Sequence, residues 1–184
     1  MLDSGPMLPR RRSCLAGAGV TVCASLLLAG CSPIPVGVTA VSQRDGHLLI
    51  AVMRCDDTPL QRVAVQHSGP LRTDEPREFI DDGRWTTDHD DDDVIVLDTS
   101  DPDESWVTKM TLDSLEPSVS YSASAGGDTD EPMGRVTFTA AEIESLEVGR
   151  WLYEDGDTSR NSVVRPTTTD LAALRTKRCD AGPL

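Results

Sequence analysis

The sequence predicts a mainly β protein, a sandwich of two sheets with one or two short helices towards the C-terminus. Three observations carry that reading. Val119, Tyr121, Ala123 and Ala125 alternate with Ser120, Ser122 and Ser124, the period-two pattern of a strand buried on one face. His47 to Met53, HLLIAVM, is apolar on both parities and fits a central strand covered on both sides. About seven such short runs, divided by Gly, Pro, Asp and Ser, follow one another without a visible internal repeat.

Taken in order, Val36, Val38 and Ala40 share one face of the first strand, and HLLIAVM forms the second. Val63 and Val65, between Arg62 and Gln66, mark the third. Ser68 to Asp93 is rich in Pro, Gly, Asp, Thr and Arg and reads as a long loop with one short strand around Glu78 to Trp85. DVIVLD (Asp93 to Asp98) and WVTKMTL (Trp106 to Leu112) are further strands. The serine-alternating run comes next, followed by Val136 and Phe138 among Arg135, Thr137 and Thr139, and by WLY (Trp151 to Tyr153). Two short helices complete the chain. Thr139-Ala140-Ala141-Glu142 fits a capping box, Ile143 and Leu146 give a narrow apolar stripe, and Gly149 can close the end. Thr167-x-x-Asp170 opens the other, with Leu171 and Leu174 on one face and Arg175, Lys177 and Arg178 in the last turn, where cations suit the helix dipole.

LEPSVSY, Leu115 to Tyr121, connects two of these strands, and Leu-x-Pro-x-x-x-Tyr resembles the E to F corner of fibronectin type III domains. The resemblance implies an immunoglobulin-like or fibronectin type III-like sandwich in which the Tyr121 hydroxyl bonds back to upstream backbone. Ser118 stands where that family usually has a glycine, and the two helices are additions to its minimal domain.

The N-terminus has another logic. Arg10, Arg11 and Arg12 precede an uncharged run from Ser13 to Gly30, the basic-then-apolar order of an export signal. That run is a little short for the ~20 residues that cross a hydrocarbon core, and Gly17, Gly19, Thr21 and Ser25 make it a poor span. Leu28-Ala29-Gly30-Cys31 resembles the lipobox of bacterial lipoproteins. The resemblance implies that Cys31 receives a diacylglyceryl group, that residues 1–30 are removed as signal peptide, and that the new terminus can be fatty-acylated, for instance with palmitate. Arg11-Arg12-Ser13-Cys14-Leu15 also resembles part of a twin-arginine signal, with Cys14 in the aromatic position, so the Sec and Tat routes both stay open. As a whole the chain is similar to small uncharacterised lipoproteins of high-GC Gram-positive bacteria, which implies a location and no activity. Residues 31–35 then hold the lipidated cysteine and a proline-stiffened tether reaching roughly 15 Å, and residues 36–184 form a single sandwich domain.

The chain carries a formal charge of −14. Loss of Asp3, Arg10, Arg11 and Arg12 with the signal peptide takes its 17 basic and 31 acidic side chains to 14 and 30, a charge of −16 on 154 residues. Such a surface repels nucleic acid and anionic headgroups, so lipid on Cys31 has to supply the membrane attachment. Of five cysteines, Cys14 and Cys23 leave with the signal and Cys31 is lipidated. Cys55 and Cys179 remain and are expected to form a disulfide, which the compartment outside the membrane permits.

Catalytic and metal motifs are wanting. Asp88-x-Asp90-x-Asp92 begins like an EF-hand loop, but Asp93 replaces the sixth-position glycine and Thr99 the bidentate glutamate. His47, His67 and His89 have no Cys or second His at ligand spacing. There is neither a Gly-x-Ser-x-Gly elbow nor a glycine-rich phosphate loop. Glu154-Asp155-Gly156-Asp157 reads as a turn, and Trp85, Trp106 and Trp151 could line a sugar or peptide site, although a chain with so few aromatics needs at least two of them for packing. The sequence therefore implies a monomeric, non-catalytic binding or accessory module on the extracytoplasmic face of the cell membrane, without a cofactor, serving an envelope protein or peptide. Its loops, the 68–93 segment and its acidic continuation first, are the expected contact surface, and cation or cationic-peptide capture suits their charge. The alternative is an envelope enzyme or calcium-binding protein using the acidic loop around residues 88–104.

Overall fold

The computed structural model describes residues 37–55, 57–69, 78–88, 93–127, 132–154 and 166–180. Residues 1–36, where the signal peptide, Cys31 and the tether are expected, lie outside the described residues. Along these residues run β1 (Gly37–Arg44), β2 (His47–Arg54), β3 (Arg62–Ser68), β4 (Phe79–Thr87), β5 (Val94–Asp98), β6 (Trp106–Met110), β7 (Ser120–Gly126) and β8 (Pro132–Thr139), then α1 (Ala140–Glu144), β9 (Trp151–Glu154), β10 (Pro166–Thr169) and α2 (Leu171–Arg175), which a π-helical turn, Thr176–Asp180, continues. They build two five-stranded sheets, in the orders β10-β9-β1-β2-β5 and β6-β4-β3-β7-β8, and every strand pairing among the described residues is antiparallel. The protein is a β-sandwich.

Local chemistry fixes the register. Asp45 and Gly46, at φ 53° and 83°, turn β1 directly into β2, because two left-handed residues match the twist of a tight hairpin. Val41, Leu48, Ile50, Val52, Ile95, Leu97 and Leu152 of the first sheet then meet Val63, Val65, Trp85, Trp106, Ala123, Val136 and Phe138 of the second in one buried cluster. Gly134, at φ 82°, lets β8 bulge against β1, where an added Cβ would sit 2.9 Å from the Thr39 nitrogen. The Thr39 hydroxyl donates to the Met133 carbonyl there at 2.9 Å, which ties the two sheets together near the start of β1 and β8.

The two-sided reading of HLLIAVM holds. Leu48, Ile50 and Val52 face the inter-sheet core, whereas Leu49, Ala51 and Met53 join Val38, Ala40, Trp151 and Tyr153 on the outer face. Leu174 of α2 covers that face, with Leu171 and Cys179 packed alongside. The C-terminal segment is thus a third layer, and the Cys55–Cys179 disulfide, with Cα atoms 4.9 Å apart, fastens its end to the chain just after β2.

Three expectations need correction. Thr167 does not open the last helix: residues 166–169 pair with β9, the β-branched threonines suiting a strand, and Asp170 caps α2 by accepting from the Ala173 amide at 2.8 Å. Within the 68–93 stretch the short strand expected around Glu78 to Trp85 does form, as β4. The ten strands among the described residues outnumber the seven or so expected, β10 being one that carries no apolar alternation. The first helix starts as expected, with Thr139 and Glu142 completing the capping box, but it ends at Glu144 with Ser145 as its C-cap, short of Gly149.

Topology also sorts the loops by end. β1 begins beside Arg54, at the end of the sandwich where β3 begins and β7 finishes. Ser68, Phe79 and Ser120 lie at the other end, seven strand residues or roughly 20 Å away.

Candidate functional site

Across the outer face of the second sheet, strand register lines up Asp81, Gln66, Ser122 and Thr137 on four neighbouring strands. Each lies opposite its neighbour, so the polar positions that alternate with buried Tyr121 and Ala123 form a continuous row. Gln66 Nε2 donates to Asp81 Oδ1 at 2.6 Å, which leaves its carbonyl oxygen facing other partners. Arg135 of β8 and Phe79 of β4 start three strand spacings apart, about 14 Å. Their side chains nevertheless meet, the guanidinium carbon 5.2 Å from the ring centroid. Both must lean over β3 and β7 to do so, and beneath them Ser122 is 8% exposed, its hydroxyl without any hydrogen-bond partner. A buried hydroxyl left unpaired costs about 1–3 kcal/mol, so this one stands ready for an incoming acceptor.

Around Gln66, Ser122 and Thr137 of this row lies a cavity of about 570 Å³, bordered also by Ser68, Ser118, Ser120 and Tyr121, while Asp81 falls outside it. That size suits a small ligand. It sits at the end of the sandwich remote from the start of β1, and no carboxylate lines it.

Beside the cavity a bulge in β4 displaces Asp82 from the regular register, as bulges do when they re-aim a side chain. The carboxylate consequently reaches His67 Nδ1, at 2.8 and 2.9 Å. With Asp82 accepting from Nδ1, the other ring nitrogen of His67 is the acceptor in the neutral side chain. His67 also meets the Tyr121 ring edge-on, centroids 6.1 Å apart. Tyr121 fulfils its expected corner role: its ring is buried beside Phe138, and its hydroxyl accepts from the Glu116 amide at 2.8 Å. Tyr121→Phe keeps the ring and strands that amide, so it is expected to cost about 0.5–1.5 kcal/mol in chemical denaturation. An unchanged midpoint would remove the corner as a stabilising element.

A smaller cleft of about 320 Å³ contains Asp81, Asp82, Asp113 and Glu116. Asp82 is engaged by His67 and Asp81 by Gln66 and Arg84. No group of three or more potential metal ligands stands together among the described residues.

The acidic stretch 88–104 is not one loop. β5 runs through it and separates Asp93 from Asp98 by most of a strand, so carboxylates on its two flanks are held apart. Residues 89–92, with His89, Asp90 and Asp92, lie outside the described residues, as do 155–157. Asp93 pairs with Arg175. Asp98 shapes its own turn: burial pushes its carboxyl up, but the Ser100 hydroxyl at 2.7 Å and amide at 3.0 Å, the Asp101 amide and the charge of Arg44 outweigh this and hold it below the ordinary carboxylate range. A folded value below the unfolded one means stabilisation that is complete above about pH 4 and lost as pH falls through the folded value. Wild type should therefore lose melting temperature more steeply than Asp98→Asn as the pH is lowered below about 4. Equal acid slopes in the two proteins would contradict this.

All three tryptophans are buried, Trp85 completely and Trp106 and Trp151 at 7% exposure, so none lines a site. Among the described residues no helix is long and apolar enough to cross a membrane. Comparison with protein-family models, curated proteins and solved structures finds no match to the chain.

Sequence reasoning missed Gln66, Phe79, Ser122 and Arg135 as a group. One signal was available: Phe79 is one of two phenylalanines in the chain, and it is 44% exposed rather than in the core.

Proposed function

We propose that the protein is a lipid-anchored binding module on the extracytoplasmic face of the cell membrane, held by acyl chains on Cys31 and non-catalytic in its own right. The observation that carries the binding half is the cavity under Arg135 and Phe79, with its buried unpaired Ser122 hydroxyl. The lipobox resemblance carries the anchoring half. The two fit together, because the chain enters the domain at Gly37 while the cavity lies at the far end of the sandwich, where a module tethered by Cys31 can present it away from the bilayer.

Full-length protein extracted in mild detergent from the cells that make it offers a test by native mass spectrometry. Wild type is expected to carry a bound mass that denaturation releases. Ser120→Trp, which fills the cavity from an exposed position, should lack it while remaining folded. The same adduct on both proteins, or on neither, contradicts the proposal.

A further inference from the structure

We infer that the cavity takes a carboxylate-bearing ligand, an inference that rests on the binding reading above and names its chemistry. Its sign is opposite to that of the protein as a whole. In a chain with 31 acidic side chains the lining contains no carboxylate, and it contains one guanidinium. Arg135 has no carboxylate partner among the described residues, and its guanidinium carbon stands 5.2 Å from the centre of the Phe79 ring. The N–H fork of an arginine can bind an anion bidentately.

The neighbouring groups complete a donor set. The Ser122 hydroxyl, more than nine-tenths buried, has a proton and nothing to give it to. Thr137 lies directly opposite it on the next strand and adds a second hydroxyl at the cavity wall. A carboxylate between Arg135 and Ser122 would accept from both, and the Gln66 carbonyl can take a donor from the rest of the ligand. A cation would find the guanidinium instead of a partner. The cationic ligand expected from the overall charge is thus unsuited to this cavity.

Two sources of the carboxylate are open, an acidic sugar and a peptide C-terminus, and matched pairs separate them. The probes are glucuronate against glucose, and acetyl-alanyl-alanine against its amide, each titrated into the full chain in detergent and read by NMR at the Arg135 side chain and the Ser122 and Thr137 amides. At least one acid is expected to give saturable shifts that its neutral counterpart does not. Arg135→Gln should weaken that binding about ten- to hundredfold, with Arg135→Lys intermediate because it keeps the charge and loses the fork. Ser122→Ala should weaken it less, which controls for folding. If a neutral probe binds as tightly as its acid, the carboxylate inference fails and the cavity stands as a binding site. If none of the four shifts these resonances while Ser120→Trp still sheds a native adduct, the carboxylate inference fails alone; if that adduct is also missing, both readings fail.

Discussion

Cys31→Ala is expected to abolish membrane retention and leave a precursor that still carries residues 1–30 and no acyl mass. The size of the effect follows from what else could hold the protein. Each buried methylene of an acyl chain contributes about 0.8 kcal/mol, and two chains are enough for stable anchoring. Against that, a domain of net charge −16 gains nothing from anionic headgroups, and no described helix can span the bilayer. With the thiol gone, partition should fall by several orders of magnitude rather than by a fraction. Fractionation followed by intact-mass measurement checks this. A wild-type membrane fraction with an intact N-terminus, or with a free Cys31 thiol, would contradict it.

The second large effect is expected from removing the Cys55–Cys179 bridge. The bond closes a separation of 124 positions, for which the chain-entropy estimate is about 4–5 kcal/mol, an upper figure because the reduced unfolded chain is not a random coil. For a domain of this length that corresponds to a fall in melting temperature of about 10–15 °C. The loss should have a local signature as well. Leu49, Ala51 and Met53 are buried by a short helix whose end the disulfide fastens, so Cys55→Ser with Cys179→Ser should raise hydrogen exchange in β1, β2 and β9 before the inter-sheet core opens. The unreduced, unfolded wild type should offer neither thiol to an alkylating reagent. Labelling at both positions, or equal melting temperatures for wild type and the double variant, would remove the bridge from the account of how the C-terminus is held.

Much of the fold was legible because its signals are local or doubly written. HLLIAVM is apolar on both parities, and each parity has its own cover, the second sheet on one side and α2 on the other. LEPSVSY places Tyr121 five residues after the amide it accepts from, and the capping box at Thr139 closes within one turn. The cysteine pair followed from elimination. What could not be read depends on register. β10 is three threonines after a proline, identified as a strand only by its pairing with β9. Asp82 meets His67 because a bulge adds one residue to β4, and nothing in FIDDGRW announces it.

The candidate site was less legible still. Ser120, Ser122 and Ser124 alternate as solvent-facing positions do, and two of them are not fully exposed. Only the juxtaposition of β4 and β8 across two intervening strands brings Arg135 over Phe79 and shelters Ser122. The acidic stretch misled for the opposite reason, since its charge is conspicuous in one dimension while β5 divides it in three.

The domain is proposed to meet its ligand at the cavity under Arg135 and Phe79. Photocrosslinking in the cells that make the protein tests it most directly, with p-benzoylphenylalanine replacing Phe79 at the cavity in one strain and exposed Glu104 in the acidic stretch in another. A ligand adduct is expected from position 79 that Arg135→Gln suppresses, and none from position 104. An adduct confined to position 104 would contradict it and return the function to the acidic stretch.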